Sequence, residues 1–407
     1  MRILFLLFVF IPYFLSAQYF STPPLLTPYT ANAPEILSKA AVLIDAHTGA
    51  LLYSKNPYEE IPPASLTKLM TMHIAMSEID AGRASWDEIV PVTVQSWARS
   101  QPPRSSLMFL APGQIVTLRE LMLGMAIPSG NDAAVAVALR FAPTVEDFAS
   151  NMTSEARRMG LNITRFTESS GISENNITTA EEFAFFCRQY VRLHPQALVE
   201  LHSVKEFSYP TSANVSEAFK NNPQTITQEN RNNLLRTFPG VDGLKTGYID
   251  ESGYNIALTA ERNQTRFILI TLGAENSRSR DNDGLRLLTW VFDNFKTVRP
   301  EIGEIIKPRL WKGRADYVEF KLAGSPDFTS PINRADTLVI EYLIQEPLIA
   351  PLQQDATAGY LVISDEYGEL NRIPLLTVRE YEKGNIFKRI WHSILLLFKK
   401  QPKKSNN

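Results

Sequence analysis

Apolar residues fill positions 3–15 almost without interruption and then give way to a Pro- and Thr-rich polar stretch at 21–34. Residues 40–44 (Ala-Ala-Val-Leu-Ile) predict a strand, 45–49 a turn and 50–53 the return strand of a hairpin. Helical apolar periodicity begins at Ser65-Leu66-Thr67-Lys68-Leu69-Met70 and runs to a stop at Gly82. Further helices are predicted over 132–141, about 179–193 and about 285–295. Residues 255–260 and 266–272 read as two buried strands joined at 261–265. Strands at both ends with helices between predict an α/β or α+β domain over 35–298. After Arg299-Pro300 the segments become short and alternating, as in 317–322 and 337–342, separated by Gly, Pro and Asp. That pattern predicts a small all-β domain over 299–378.

The two ends carry a different signal. Arg2, the apolar run and Ser16-Ala17-Gln18 predict a cleaved signal peptide over 1–17, since the run is shorter than the ~20 residues of a spanning helix. An uncleaved N-terminal anchor is the alternative; on either reading the chain leaves the cytoplasm. Near the other end Ile386, Ile390, Ile394 and Leu397 recur at helical spacing beside Phe387, Trp391, Leu395 and Phe398. Lys388, Arg389, His392 and Ser393 form the opposite face. Thirteen such residues make ~20 Å of helix, short of a ~30 Å hydrocarbon core. With the lysines at 399, 400, 403 and 404, a helix over 380–400 reads as an in-plane anchor on an anionic membrane surface. A helix packed on its own β domain is the alternative.

Composition narrows the function classes. The 407 residues, 44% of them hydrophobic, suffice for two domains, and a net charge of -2 offers no basic field for nucleic acid. One cysteine, Cys187, excludes an internal disulfide framework and reads as a small buried hydrophobe. Five scattered histidines, with no pair at helical metal-binding spacing, leave a zinc hydrolase unsupported. No metal or cofactor is implied.

Three short motifs carry the chemistry. Ser65-Leu66-Thr67-Lys68 places an amine three residues after a hydroxyl, on one helical face, where a lysine of lowered pKa can take the serine proton. Ser129-Gly130-Asn131 is one of three Ser-x-Asn triplets, singled out by Pro128 before it and an apolar helix after it. Its hydroxyl and amide suit proton relay and hydrogen bonding to a peptide. Lys245-Thr246-Gly247 follows Val241-Asp242-Gly243-Leu244; on a strand, its ammonium and hydroxyl suit a carboxylate, and the glycine permits close approach. A strand N–H together with the Ser65 N–H suits an oxyanion hole. Each triplet alone is matched by a bland alternative, a cap, a loop or a turn.

Their order and contexts together resemble the serine β-lactam-interacting enzymes. Within these, the chain closely resembles the low-molecular-mass penicillin-binding proteins that act as D-alanyl-D-alanine carboxypeptidases. Pro63-Ala64-Ser65-Leu66-Thr67-Lys68-Leu69-Met70-Thr71, Ser129-Gly130-Asn131-Asp132-Ala133-Ala134, Asn230-Arg231-Asn232-Asn233-Leu234-Leu235, Asp242-Gly243-Leu244-Lys245-Thr246-Gly247 and Gly253-Tyr254-Asn255 carry the likeness. The resemblance implies a DD-peptidase-like transpeptidase fold with a β-rich domain and a C-terminal amphipathic helix. It implies that Ser65, Lys68 and Ser129 are catalytic, and that Asn131, Lys245, Thr246, Gly247, Tyr248 and Arg280 bind substrate. The implied substrate is a peptidoglycan stem pentapeptide, with β-lactams as mimics, at the periplasmic or outer face of the cytoplasmic membrane. Tyr248-Ile249 and Ser252 depart from the commonest family residues, which leaves substrate preference and deacylation open. The alternatives are a DD-endopeptidase, a non-catalytic penicillin-binding scaffold, and a class A β-lactamase. For the last, Glu229 and Asn233 imitate the spacing of a deacylating pair but lie close before Lys245.

Overall fold

The computed structural model describes residues 18–398. The expected leader, residues 1–17, and the lysine-rich end after Phe398 lie outside the described residues. Contacts divide the chain into two compact units, one formed by Ala33–Thr289 with the segment up to Thr22, the other by Pro23–Asn32 with everything from Trp290 onward.

The first unit is built on a five-stranded antiparallel sheet. Its strands are β1 (Ala40–Asp45), β2 (Leu51–Lys55), β3 (Val241–Ile249), β4 (Gly253–Arg262) and β5 (Thr265–Ala274), in the order β2-β1-β5-β4-β3. The expected hairpin at 40–53 and the strand pair across 261–265 are both present. β1 is buried at every position because helices cover both sheet faces, so it reads as an apolar run rather than an alternation. Ala40, Val42 and Ile44 point into the larger helical core. On the opposite face a Cβ at Gly284 would stand 2.9 Å from the side-chain ends of Leu234 and Leu258, which pack directly against the last helix of the unit.

The helices are α1 (Lys68–Asp80), α2 (Leu118–Ala126), α3 (Asn131–Phe141), α4 (Val145–Arg158), α5 (Ala180–Leu193) and α6 (Ser277–Asn294). α5 begins one residue after its N-cap Thr179. The expected helix at 285–295 begins two turns earlier. The extra residues, Ser277 to Gly284, carry no apolar stripe; their inward contacts are polar. Asp283, for instance, accepts from Leu37 N, Ser38 N and Ser38 Oγ. Two helices not predicted from periodicity, α2 and α4, start at Thr117 and Thr144. Both caps accept from a backbone N–H three residues on, and at Thr117 Glu120 completes a capping box.

The second unit is all-β apart from its ends. β6 (Phe320–Leu322), β7 (Val339–Ile344), β8 (Thr357–Asp365) and β9 (Gly368–Thr377) form an antiparallel sheet in the order β6-β9-β8-β7, over a core that includes Leu310, Val318, Leu361 and Leu375. The terminal helix, α7 (Ile386–Phe398), is docked on this unit by its polar face. His392 Nδ1 accepts from Lys312 N at 2.8 Å, and Lys388 Nζ donates to Asp316 at 2.8 Å and to Arg314 O at 3.1 Å. The apolar face points outward: Phe387 is 81% exposed, Trp391 59% and Leu397 83%. A helix buried for stability does the reverse. Among the described residues no helix is long and apolar enough to cross a membrane.

Candidate active site

Ser65 lies on a 3-10 turn, Ala64–Thr67, which passes directly into α1 at Lys68. The sequence reading put both residues on one α-helix. Pro62 and Pro63, and the left-handed backbone of Ala64 (φ +50°), keep the first turn from winding as α. The tighter turn eclipses residues three apart, and Lys68 Nζ stands 3.1 Å from Ser65 Oγ. Lys68 is fully buried, and its ammonium also donates to Asn131 Oδ1 at 2.7 Å and to Ser170 O at 2.6 Å.

Ser129 holds a second left-handed backbone (φ +68°), a conformation that costs about 1 kcal/mol or more without glycine. The turn around it is tied on three sides: Gly130 N to Gly124 O at 2.8 Å, Asn131 N to Ser106 O at 2.8 Å, and Arg231 Nε to Pro128 O at 2.9 Å. Asp132, fully buried at the start of α3, accepts from Met108, Phe109, Leu110 and Ala133 N at 2.8–3.0 Å. It thereby folds the loop at 106–110 against the site. Ser129 Oγ, also buried, has no hydrogen-bond partner among the described groups.

The third wall is β3, an edge strand of the sheet, so half its peptide groups face away from β4. A Cβ on Gly247 would stand 2.9 Å from both Pro63 O and Ser65 N, which is why glycine occupies the point where the strand passes the nucleophile turn. Lys245 is buried, with Nζ donating to Thr246 O at 3.0 Å. Asn255 on β4 locks the approach to Ser65 by donating to Pro62 O at 3.0 Å and accepting from Gly273 N at 2.8 Å.

These walls enclose a cleft of about 720 Å³ lined by Ser65, Ser129, Asn131, Thr246, Gly247, Tyr248 and Arg280, with Arg231, Asn233 and Tyr254. Every residue singled out from the sequence lines it, except Lys68 and Lys245, which lie buried beneath. Burial lowers the Lys68 amine to about 7; the charges of Glu168 and Asp132 oppose that shift, and Arg231 adds to it. Burial also pushes Lys245 well below its ordinary range, with Lys68, Arg231 and Arg280 adding to the effect. Arg280 is buried and paired with Asp281 at 2.7 Å. Arg231 and Arg280 thus line the cleft, with the Lys68 and Lys245 amines buried close by, an arrangement that favours an anionic group. Asp250 and Glu251, on the turn between β3 and β4, line it as well.

The site contains groups that sequence spacing did not single out as functional. Ser170 contributes only a carbonyl, which no side-chain pattern reports. Tyr254 packs against Tyr248 with the rings tilted by 33° and their centroids 4.2 Å apart, a pairing set by the β3–β4 register. Glu229 is exposed and does not line the cleft, while Asn233 does, so the two make no deacylating pair. Cys187 is buried outside the cleft, its thiol pushed up by burial.

Residues 27–276 match the family described as D-alanyl-D-alanine carboxypeptidase. The chain is 31% identical over 376 residues to D-alanyl-D-alanine carboxypeptidase DacC of Escherichia coli, covering 91% of this chain and 90% of the relative. Its structure is similar to that of penicillin-binding protein 5 from Haemophilus influenzae, at a TM-score of 0.74 and 29% identity, over 86% of this chain and 99% of the other. A Listeria monocytogenes penicillin-binding protein in its ampicillin-bound form matches at a TM-score of 0.55 and 28% identity, over 64% of this chain and 100% of the other.

Proposed function

The chain belongs to the D-alanyl-D-alanine carboxypeptidase family, and from that membership we propose how its residues divide the work of a serine acyl-transfer peptidase. The reaction removes the terminal D-alanine of a peptidoglycan stem peptide, and β-lactams engage the same site. The observation that carries the assignment of roles is the 3.1 Å contact between a buried, weakly basic Lys68 and Ser65, which lines a cleft shared with Arg231 and Arg280.

With its amine lowered to about 7, a large fraction of Lys68 is neutral at physiological pH. It takes the Ser65 proton as Oγ bonds to the carbonyl carbon between the two D-alanines. The oxygen that becomes negative is held by the backbone N–H groups of Ser65 and Tyr248, worth ~10²–10³ in rate for each donor. Lys245, Thr246 and Arg280 hold the terminal carboxylate; Asn131, already bonded to Lys68, also contacts the substrate amide. Ser129 Oγ, with no hydrogen-bond partner among the described residues, passes the proton from Lys68 to the departing D-alanine nitrogen as the C–N bond breaks. Water then adds to the acyl-enzyme carbonyl, giving up its proton as Ser65 leaves.

The second part of the proposal is location. The outward apolar face of α7 lies in the plane of a membrane, at the outer surface of the cytoplasmic membrane, with Trp391 and Phe387 at headgroup depth. On this reading the leader, cleaved or retained as an anchor, carries the domain out of the cytoplasm.

Release of free D-alanine from a stem pentapeptide ending in D-Ala-D-Ala, with Ser65→Ala as control, tests the reading. Release that disappears in the variant is expected. Folded wild-type protein that releases none, or a variant that still does, overturns the assignment.

A further inference from the structure

Outside the three motifs, one carboxylate is wired into the site without reaching the cleft. Glu168 sits on the loop between α4 and α5. Its Oε2 accepts from Ser170 N and Ser170 Oγ, each at 2.6 Å; its Oε1 accepts from Gly171 N at 2.6 Å and Asn176 Nδ2 at 2.8 Å. With Ser173 N at 3.4 Å as a fifth, longer donor to Oε1, these bonds fold residues 168–171 into a tight turn. That turn is fastened to the nucleophile segment at several points. Ser170 O receives the Lys68 ammonium at 2.6 Å, Thr71 Oγ1 donates to Ser169 O at 2.7 Å, and Asn176 Nδ2 also donates to Thr67 Oγ1 at 3.1 Å. Gly171 is pressed so close to Ala64 that a Cβ there would lie 1.8 Å from the Ala64 carbonyl oxygen.

We propose that Glu168 is a positioning residue for the acylation base, folding the 168–171 turn so that the Ser170 carbonyl meets Lys68 and holding its own carboxylate within that turn. The inference rests on Lys68 being the base for Ser65. Glu168 does not line the cleft and both its oxygens are engaged, so it neither touches substrate nor serves as a base itself. The charges that bear on Lys68 come from each side: Glu168 from this loop, Asp132 from α3, and Arg231 from the segment before β3. Lys245 on β3 feels Lys68 in return. Of the two carboxylates Glu168 has the larger effect, and it raises the amine against the desolvation that lowers it. Asp132 is spent on four backbone N–H groups. Without the Glu168 charge the amine loses its proton more easily, and Lys68 becomes neutral at lower pH.

The test is the pH profile of Ser65 acylation by a fluorescent penicillin, for wild type, Glu168→Gln and Ser170→Ala. Glu168→Gln is expected to move the acidic limb to lower pH and to cut the alkaline plateau about tenfold or more, because its amide nitrogen faces donors. Ser170→Ala, which keeps the charge, leaves the limb in place. The limb decides: an unmoved limb in Glu168→Gln, or one that moves upward, overturns the proposal whatever the plateau does. If Glu168→Gln loses its cooperative unfolding transition, Glu168→Asp takes its place. With the charge kept on a shorter arm, its plateau should fall about fivefold with the limb unmoved, and a wild-type plateau overturns the proposal. Wild type that does not acylate, or label that persists in Ser65→Ala, refutes instead the reading of Ser65 and Lys68 on which the inference rests.

Discussion

Substituting Gly171 by alanine tests how tightly the 168–171 turn and the nucleophile turn depend on each other. Gly171 has φ +85°, where an alanine costs about 1 kcal/mol. The added Cβ would meet Ala64 O at 1.8 Å and Ala64 C at 2.3 Å, and these are backbone atoms that no rotamer change can clear. One turn must therefore retreat from the other by more than about 1 Å. A retreat of that size breaks the 2.6 Å bond from Lys68 to Ser170 O, leaving a buried ammonium short of an acceptor, at about 1–3 kcal/mol. The sum is on the order of 2–4 kcal/mol, a large share of a typical domain's 5–15 kcal/mol. Acylation should fall by about 10²-fold, since Lys68 is no longer aimed at Ser65. Urea unfolding and the second-order rate of penicillin labelling read the two effects separately. A variant within about 1 kcal/mol of wild type that labels within threefold of its rate would refute the argument that these turns are interlocked.

Other outcomes follow from the same geometry. Lys68→Arg, always protonated, should lose about 10²–10⁴-fold in D-alanine release while still folding; wild-type activity falls as pH drops below about 7, and activity of the variant near wild type would remove Lys68 as base. His194 and His202 are lowered by burial to about 4 and about 3, so the fold favours their neutral forms. Stability is then complete above the unfolded value near 6.5 and is lost as pH falls toward 4 and 3. About 2 kcal/mol per histidine should vanish between pH 7.5 and 5, and a flat denaturation midpoint over that range would contradict it. Phe387→Glu with Trp391→Glu should abolish sedimentation with anionic vesicles at unchanged thermal stability, because both side chains are largely exposed. Retained vesicle binding would rule out α7 as the anchor.

Strands β1, β2, β4 and β5 and helices α3 and α5 were legible because each is an uninterrupted apolar run or a clear helical stripe. α2 and α4 were announced by Thr117 and Thr144 as caps, a local hydrogen-bond signal that a search for periodicity passes over. The beginning of α6 could not be seen in that way, since its inward residues include Arg280 and Asp283, held by charge and backbone N–H groups rather than by apolar contact. The contact of Lys68 with Ser65 was legible in their spacing, because a 3-10 turn aligns residues three apart as an α-helix nearly does, but its meaning came only from the three motifs together. Glu168 and Ser170 were not, for they act through a carbonyl and through loop hydrogen bonds between segments about a hundred residues apart. Histidines scattered along the chain also hid a contact: His73 Nδ1 and His194 Nε2 are 2.9 Å apart, with Glu155 2.9 Å from the other nitrogen of His73.

The division of the chain after Thr22, after Asn32 and again after Thr289 has a kinetic consequence. Leu26, fully covered in the native protein, belongs to a unit whose remaining residues begin only at Trp290. At ~5–20 residues per second, a ribosome needs roughly 13–50 s to make the intervening stretch. β1 waits almost as long, because one of its two neighbours, β5, starts at Thr265. The earliest residues to appear thus find their places late: the first unit cannot close before β5 is made, and the second not before the chain has passed well beyond Trp290. Until β5 emerges β1 lacks one of its two neighbouring strands, so the order of the segments by itself holds the start of the first unit open through most of the synthesis of the chain.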